Sequence, residues 1–437
     1  MKLNYKRTML IGLAFLSISA FWQMYDNVIP LILKDTFGMG ETVTGTIMAA
    51  DNVLALFLLP IFGAISDKVS TPIGKRMPFI LMGTGLAFVF LMILPFADNT
   101  KNLALFVGGL FVLLISMGLY RSPAVALMPD LTPKPLRSKA NAVINLMGAI
   151  GGVYTLIMIK VLVGGGDTPN YRPLFLSVGL LMVISVAILF VTIKENKLHA
   201  EVSADEEENE ADAAQVNAVD AAQVSASDKK SDKLPKDVKR SLVFLLLSVA
   251  FWFIAYNAVT TAFSRYATHV WGLEGGGYAD CLLIATVAAI ISYIPIGAIA
   301  SKIGRKKTIL IGIVLLGSCF LAAGLYPTYH WSMVIFFGII GFAWAGIGVN
   351  SYPMVVEMSN AGDVGKYTGY YYTFSMAAQV ITPILSGALL EHVSYRTLFP
   401  YSVVFSVLAF ITMSQVKHGD SKPEQKKSVL ENFDVDD

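Results

Sequence analysis

Apolar residues along this chain come in long runs separated by short polar turns. Twelve runs lie near 8–33, 43–65, 77–97, 103–129, 140–163, 173–194, 241–263, 279–300, 308–326, 331–355, 367–390 and 397–416. An α-helix needs about 20 apolar residues to cross the hydrocarbon core of a bilayer. The pattern therefore predicts an all-α membrane protein with twelve transmembrane helices. Only 195–240, between the sixth and seventh runs, is too polar for that. It holds Asp205-Glu206-Glu207-Glu208 and a doubled D-A-A-Q-V at Asp212–Val216 and Asp220–Val224. Low complexity with many charges predicts a disordered acidic linker. The expected organisation is an N-terminal six-helix bundle over 1–196, a disordered linker over 197–238, a C-terminal six-helix bundle over 239–418 and a tail over 419–437.

The two sixes repeat each other. A charged hinge, G-A-I-S-D-K-V-S-T-P-I-G-K-R-M-P at Gly63–Pro78, returns in shorter form as G-A-I-A-S-K-I-G-R-K-K at Gly297–Lys307. The first helix carries F-W-Q-M-Y-D-N at Phe21–Asn27 and the seventh F-W-F-I-A-Y-N at Phe251–Asn257. The fourth ends R-S-P-A-V-A-L-M-P-D at Arg121–Asp130 and the tenth N-S-Y-P-M-V-V-E at Asn350–Glu357. Two pseudo-symmetric six-helix bundles follow.

Composition and charge narrow the class. Of 437 residues only 15% are charged, against about 25% in soluble domains, which argues against a soluble enzyme. A net charge of +2 gives no reason to expect nucleic acid as a partner. Cys281 and Cys319 lie inside apolar runs, with neither disulfide nor metal-site spacing. The first apolar run is too long for a signal-peptide core. Cations fix the orientation: twenty-six fall at the termini, the hinges and the connections on their side, five on the other. The positive-inside rule places both termini and both hinges in the cytoplasm of a plasma-membrane protein. Lys160, near an outer helix end, is expected to snorkel toward the headgroups. Tyr25-Asp26 with Gly164-Gly165-Gly166-Asp167 matches the paired motifs of intramembrane aspartyl proteases, but Asp167 falls in a loop. No catalytic residue is expected.

Parallel six-helix repeats are the mark of the major facilitator superfamily, and local motifs sharpen the likeness. G-x-x-S-D-x-x-S-x-x-G-K-R-x-P-F-I at Gly63–Ile80 resembles the second-to-third helix loop of the glycoside–pentoside–hexuronide cation symporters. It is more similar still to that of the sucrose–proton symporters and their bacterial relatives. S-P-A-V-A-L-M-P-D-L at Ser122–Leu131 resembles the fourth-helix end of the sucrose carriers. The resemblance implies the major facilitator fold and secondary active transport of a sugar, sucrose-like or another glycoside, by alternating access. Two departures stand out. The cation-binding aspartates of melibiose-permease-like members would fall at Ala55 and Leu59, both apolar here, so sodium is disfavoured and the proton is the expected coupling ion. The sucrose carriers' helix 4 arginine would fall at Val125, one turn beyond Arg121.

Charges inside apolar spans cost about 2.5–3.5 kcal/mol each at a helix centre and are rarely without a role. Asp26, Asp51 and Arg121 are such charges. Asp51 is the preferred proton-coupling group because it interrupts a continuous apolar run; Asp26 sits nearer Pro30 and the outer mouth. Arg121 suits hydrogen bonding to substrate hydroxyls. Amides at Asn52, Asn145, Asn257, Asn350 and Gln379, with aromatic groups at Trp22, Tyr25, Tyr256 and Tyr371, complete the expected substrate site for a small polar solute. A cytoplasmic gate is expected from Asp67, Arg76, Asp130, Arg137, Arg305 and Glu357, pairing each hinge cation with a carboxylate at the end of a fourth helix. No cofactor or metal is expected, nor any partner beyond solute and bilayer, and the state expected is a monomer. The alternatives are a proton-coupled antiporter or efflux carrier, and a membrane sensor that does not transport.

Overall fold

The computed structural model describes residues 3–133, 136–164, 169–202, 235–358 and 364–420. Among the described residues it is all-helical, with twelve helices long and apolar enough to span a membrane. These are α1 (Tyr5–Leu31), α2 (Glu41–Lys68), α3 (Met77–Asn99), α4 (Leu103–Asp130), α5 (Arg137–Leu162) and α6 (Arg172–Thr192) in the first half. The second half holds α7 (Lys236–Trp271), α8 (Ala279–Ile303), α9 (Arg305–Gly324), α10 (Met333–Glu357), α11 (Val364–His392) and α12 (Leu398–Ser414). α7 is longer at both ends than its apolar run, because polar residues continue the helix beyond the hydrophobic stretch.

Helix packing repeats with a shift of six. In the first half α1 packs on α5 and α6, α3 on α4 and α6, and α2 on α4. In the second, α7 packs on α11 and α12, α9 on α10 and α12, and α8 on α10. The halves meet through α2 with α11, α5 with α8 and α1 with α7. The duplication read in the sequence is thus a duplication of contacts.

Each hinge is tied down by a carboxylate from beyond its own half's sixth helix. Gly74 has φ +122° and Gly304 φ +92°, values that disfavour any residue with a Cβ. At the first hinge, Glu195 accepts the backbone N–H groups of Lys75 at 2.8 Å, Arg76 at 2.9 Å and Met77 at 2.9 Å. At the second, Asp420 accepts the N–H of Lys306 at 2.8 Å. Both carboxylates answer the free donors and positive dipole end of a helix start. This corrects the expected linker. Residues 195–202 are helical, and Glu195 and Val202 are buried, because the hinge amides recruit that segment. Residues 236–238 likewise form the first turn of α7. The acidic run and both D-A-A-Q-V copies lie outside the described residues, as does the tail beyond residue 420.

Candidate functional site

Between the halves lie two cavities of about 630 Å³ and 400 Å³, which share Leu59, Arg121, Tyr293 and Tyr372 in their walls. They are two lobes of one space. The larger is walled mainly by α1, α4 and α5, and reaches Val125 and Asn141 near the helix ends on the face that carries the termini. The smaller is walled mainly by α2, α7, α10 and α11, through Asn52, Trp252, Trp344, Ser351, Ser375 and Gln379 among others. At the opposite face the halves close on one another through ion pairs of Arg265 with Glu41 and Lys160 with Asp280, both at 2.7 Å.

Arg121 stands in the wall common to both lobes. Its guanidinium carbon lies 5.7 Å from the centre of the Trp22 ring, within the range of a cation–π contact. Asp51 lines a small crevice with the same two residues and accepts a hydrogen bond from the Asn52 amide at 2.8 Å. Asp26, one helix away, lies within electrostatic reach of Asp51. The structure therefore brings Trp22, Asp26, Asp51 and Arg121 into one neighbourhood. Ala55 and Leu59 line the cavity as apolar residues, where melibiose-permease-like carriers would have their aspartates.

Of the other expected substrate contacts, Asn145 lines the larger lobe and Asn52, Tyr371 and Gln379 the smaller. Four stand elsewhere. Tyr25 is buried among Phe21 and Trp22. Asn350 is buried and donates to the Gly346 carbonyl at 2.9 Å, back along its own helix. Tyr256 stacks face to face on Trp344 at 3.7 Å, and Trp344 is the ring that lines the lobe. The amide nitrogen of Asn257 is buried without a hydrogen-bond partner among the described residues. Helical spacing placed these residues on polar faces, but packing decided which of them reach the cavity. Trp344 and Tyr293 were missed; the G-F-A-W-A-G setting of Trp344, small residues around one large ring, is the signal that could have found it.

The expected gate residues form networks within each half. Arg76 is buried and bonds Asp130 at 2.9 Å, together with Asp67 and Ser66. Lys75 adds a second cation on Asp130 at 3.1 Å. In the second half Arg305 pairs with Glu357, while Ser301, standing where the first hinge has Asp67, turns back to the Ala298 carbonyl. Arg137 donates to the Thr132 carbonyl at 3.1 Å. Lys160, largely exposed at the outer end of α5, pairs with Asp280 on α8 at 2.7 Å.

The sequence matches the profile described as Major Facilitator Superfamily over residues 11–294 and 278–432. This chain belongs to the major facilitator superfamily. Among relatives, an isoprimeverose transporter of Lactiplantibacillus pentosus is 22% identical over 67% of this chain and 59% of its own length. The sucrose transport protein SUC3 of Arabidopsis thaliana is 27% identical over 27% of this chain and 23% of its own. A probable nitrate transporter of Staphylococcus haemolyticus, NarT, is 26% identical over 37% and 40%. The chain thus spans less than two thirds of the length of these curated relatives. Among solved structures, the inward-open xylose transporter XylE from E. coli superposes with a TM-score of 0.64, 14% identity and 98% coverage of both chains. At that identity the likeness is one of fold.

Proposed function

We propose that this superfamily member is a proton-coupled sugar symporter working by alternating access, monomeric in the plasma membrane with both termini cytoplasmic. The observation that carries the proposal is that Arg121 and Trp22 line the larger lobe of the cavity between the halves while Asp51 shares a small adjoining crevice with both. An arginine in a fork geometry donates to hydroxyl oxygens. A flat indole covers the apolar face of a sugar ring, and amides at Asn52, Asn145 and Gln379 exchange hydrogen bonds with its hydroxyls. The nearby carboxylate takes up and releases the proton. One proton moving down 100 mV supplies about 2.3 kcal/mol, enough for roughly 50-fold accumulation. The apolar residues at Ala55 and Leu59 favour the proton over sodium. On this reading, a cavity that reaches toward the terminal face while the opposite face is closed corresponds to an inward-facing state.

The isoprimeverose and sucrose relatives carry sugars by their names and support this substrate class. A second possibility rests on Arg121 as a cavity cation and on the nitrate-named relative: a small anion. Uptake into proteoliposomes with an imposed pH gradient, across mono- and disaccharides and nitrate, decides between them. Sugar uptake that collapses with a protonophore supports the symporter. Nitrate uptake without sugar uptake would replace it, and binding without counterflow would make the protein a sensor.

A further inference from the structure

A groove on the outer surface of the second half shares no residue with the two lobes of the central cavity. It holds about 110 Å³ and lies between α8 and α9, with α10 as its floor. Ile296 and Ile299 form one wall, Thr308 and Ile311 the other, and Gly346 part of the floor. The Thr308 hydroxyl turns back to the Gly304 carbonyl at 2.8 Å, so the walls are apolar. Ile311 is half exposed and begins a stripe of exposed side chains along α9 that continues in Val314 and Leu321. On a helix that spans a membrane, such a stripe faces lipid.

The groove exists because the halves differ at matched positions. Arg76 and Arg305 each pair with the carboxylate that ends the fourth helix of their own half, which sets the register. Gly83 then corresponds to Gly312. A Cβ on Gly83 would lie 2.8 Å from the Tyr120 backbone nitrogen, and one on Gly312 2.8 Å from the Ala343 carbonyl oxygen. In that register Thr308 and Gly346 stand where the first half has Phe79 and Leu119. Two small residues in place of two large ones leave the space open. Two lysines stand over it. Lys302 lies one turn beyond Ile299 on α8, and Lys307 one turn before Ile311 on α9, so each continues its groove-lining face toward the side of the termini. Both are exposed, and neither has a carboxylate partner among the described residues. Their neighbours are engaged, Arg305 with Glu357 and Lys306 with the Ser414 and Val416 carbonyls. The first half has Lys68 and Pro78 at the places of the two lysines.

We propose that this groove is a binding site for an anionic glycerophospholipid of the leaflet on the terminal side, with one acyl chain along the groove and the phosphate between Lys302 and Lys307. Apolar fit supplies shape but little drive, because lipid tails are as apolar as the helix surface they cover. Charge supplies the preference. Each lysine near an anionic headgroup is worth roughly a fivefold gain in affinity, so the pair favours an anionic over a zwitterionic headgroup by roughly 25-fold. Arg305 and Lys306, held by protein partners, keep the hinge in shape while the two outer lysines hold the lipid. Such a lipid binds whatever solute the central cavity carries.

The test titrates the full-length protein in detergent with phosphatidylglycerol or phosphatidylcholine and reads the first lipid bound by native mass spectrometry. The parent should bind phosphatidylglycerol at least tenfold more tightly than phosphatidylcholine. Lys302→Gln with Lys307→Gln should bring the two lipids to within about twofold of each other. Lys68→Gln with Lys236→Gln removes the same charge from the same side of the protein and should leave the preference in place. Gly346→Leu, which supplies the first half's side chain, should weaken phosphatidylglycerol binding at least fivefold in monodisperse protein; the exposed lysine variants keep the test decisive if it does not fold. Equal affinities in the parent, or a preference that survives loss of both lysines, would overturn the site. Weakening by the lysine pair but not by a folded Gly346→Leu would reduce the lysines to a charged rim and remove the groove. A preference that appears only after residues 421–437 are deleted would give the lysines to the chain's own tail in place of a lipid.

Discussion

Arg121 and Trp22 are held together, guanidinium over indole at 5.7 Å, at the point where the two lobes of the cavity meet. An arginine placed there offers donors to a ligand, and the ring beneath keeps it in position. A cation–π contact of this kind is worth about 0.5–2 kcal/mol, a factor of roughly 2–30 in affinity. Trp22→Ala should therefore raise the KM for sugar by that factor, whereas Trp22→Phe, which keeps an aromatic face, should raise it less. Initial uptake rates in proteoliposomes give both numbers. An unchanged KM in Trp22→Ala would remove the tryptophan from the site.

Glu195 should matter to stability more than its place beyond the sixth helix suggests. Replacing it with Ala leaves buried hinge amides without their acceptor, and loss of a helix cap costs about 0.5–2 kcal/mol. A fall of a few degrees in Tm of the detergent-solubilised protein is expected for Glu195→Ala. Asp420→Ala should cost less, because its bond to Lys306 lies in an exposed setting. Equal melting of both variants and the parent would show that the caps are incidental.

Within the gate network Asp130 should outweigh Asp67. The Asp67 side chain is 59% exposed and that of Asp130 21%, and Asp130 serves both Arg76 and Lys75. Exposed ion pairs contribute at most about 1 kcal/mol. Asp130→Asn is expected to slow exchange of labelled for unlabelled sugar at least threefold, and Asp67→Asn less than twofold. The reverse order would reject the clamp as assigned to Asp130.

Replacing 203–234 with a ten-residue Gly/Ser linker, while leaving the helical 195–202 in place, should keep uptake within a few-fold of the parent. Extending the deletion back through Glu195 should lower stability as well. Uptake lost at normal membrane levels after the shorter replacement would assign the linker a regulatory role.

The fold was legible because the bilayer imposes one demand, long apolar helices, and because duplication wrote each hinge twice. Gly74 and Gly304, with the cations that follow them, marked the turns directly. Chemistry inside the bundle was less legible. Tyr256 and Trp344 are far apart in sequence, and only their stacking decides which ring reaches the cavity. Glu41 lies just before the second apolar run with no local mark, and its partner Arg265 is 224 residues away, on the other half. Glu195 was hidden by the polar sequence around it. Contacts between distant segments leave no local periodicity to read.

Coupling through Asp51 is tested most directly by comparing two transport modes of Asp51→Asn in the same proteoliposomes. One is accumulation of labelled sugar driven by an imposed pH gradient; the other is exchange of labelled for unlabelled sugar without one. Proton-coupled symport through Asp51 predicts that accumulation is lost while exchange persists, because the neutral side chain still lets the loaded carrier reorient. Retained accumulation in Asp51→Asn with loss in Asp26→Asn would move the coupling role to Asp26. Retained accumulation in both single variants would contradict proton coupling through this carboxylate pair.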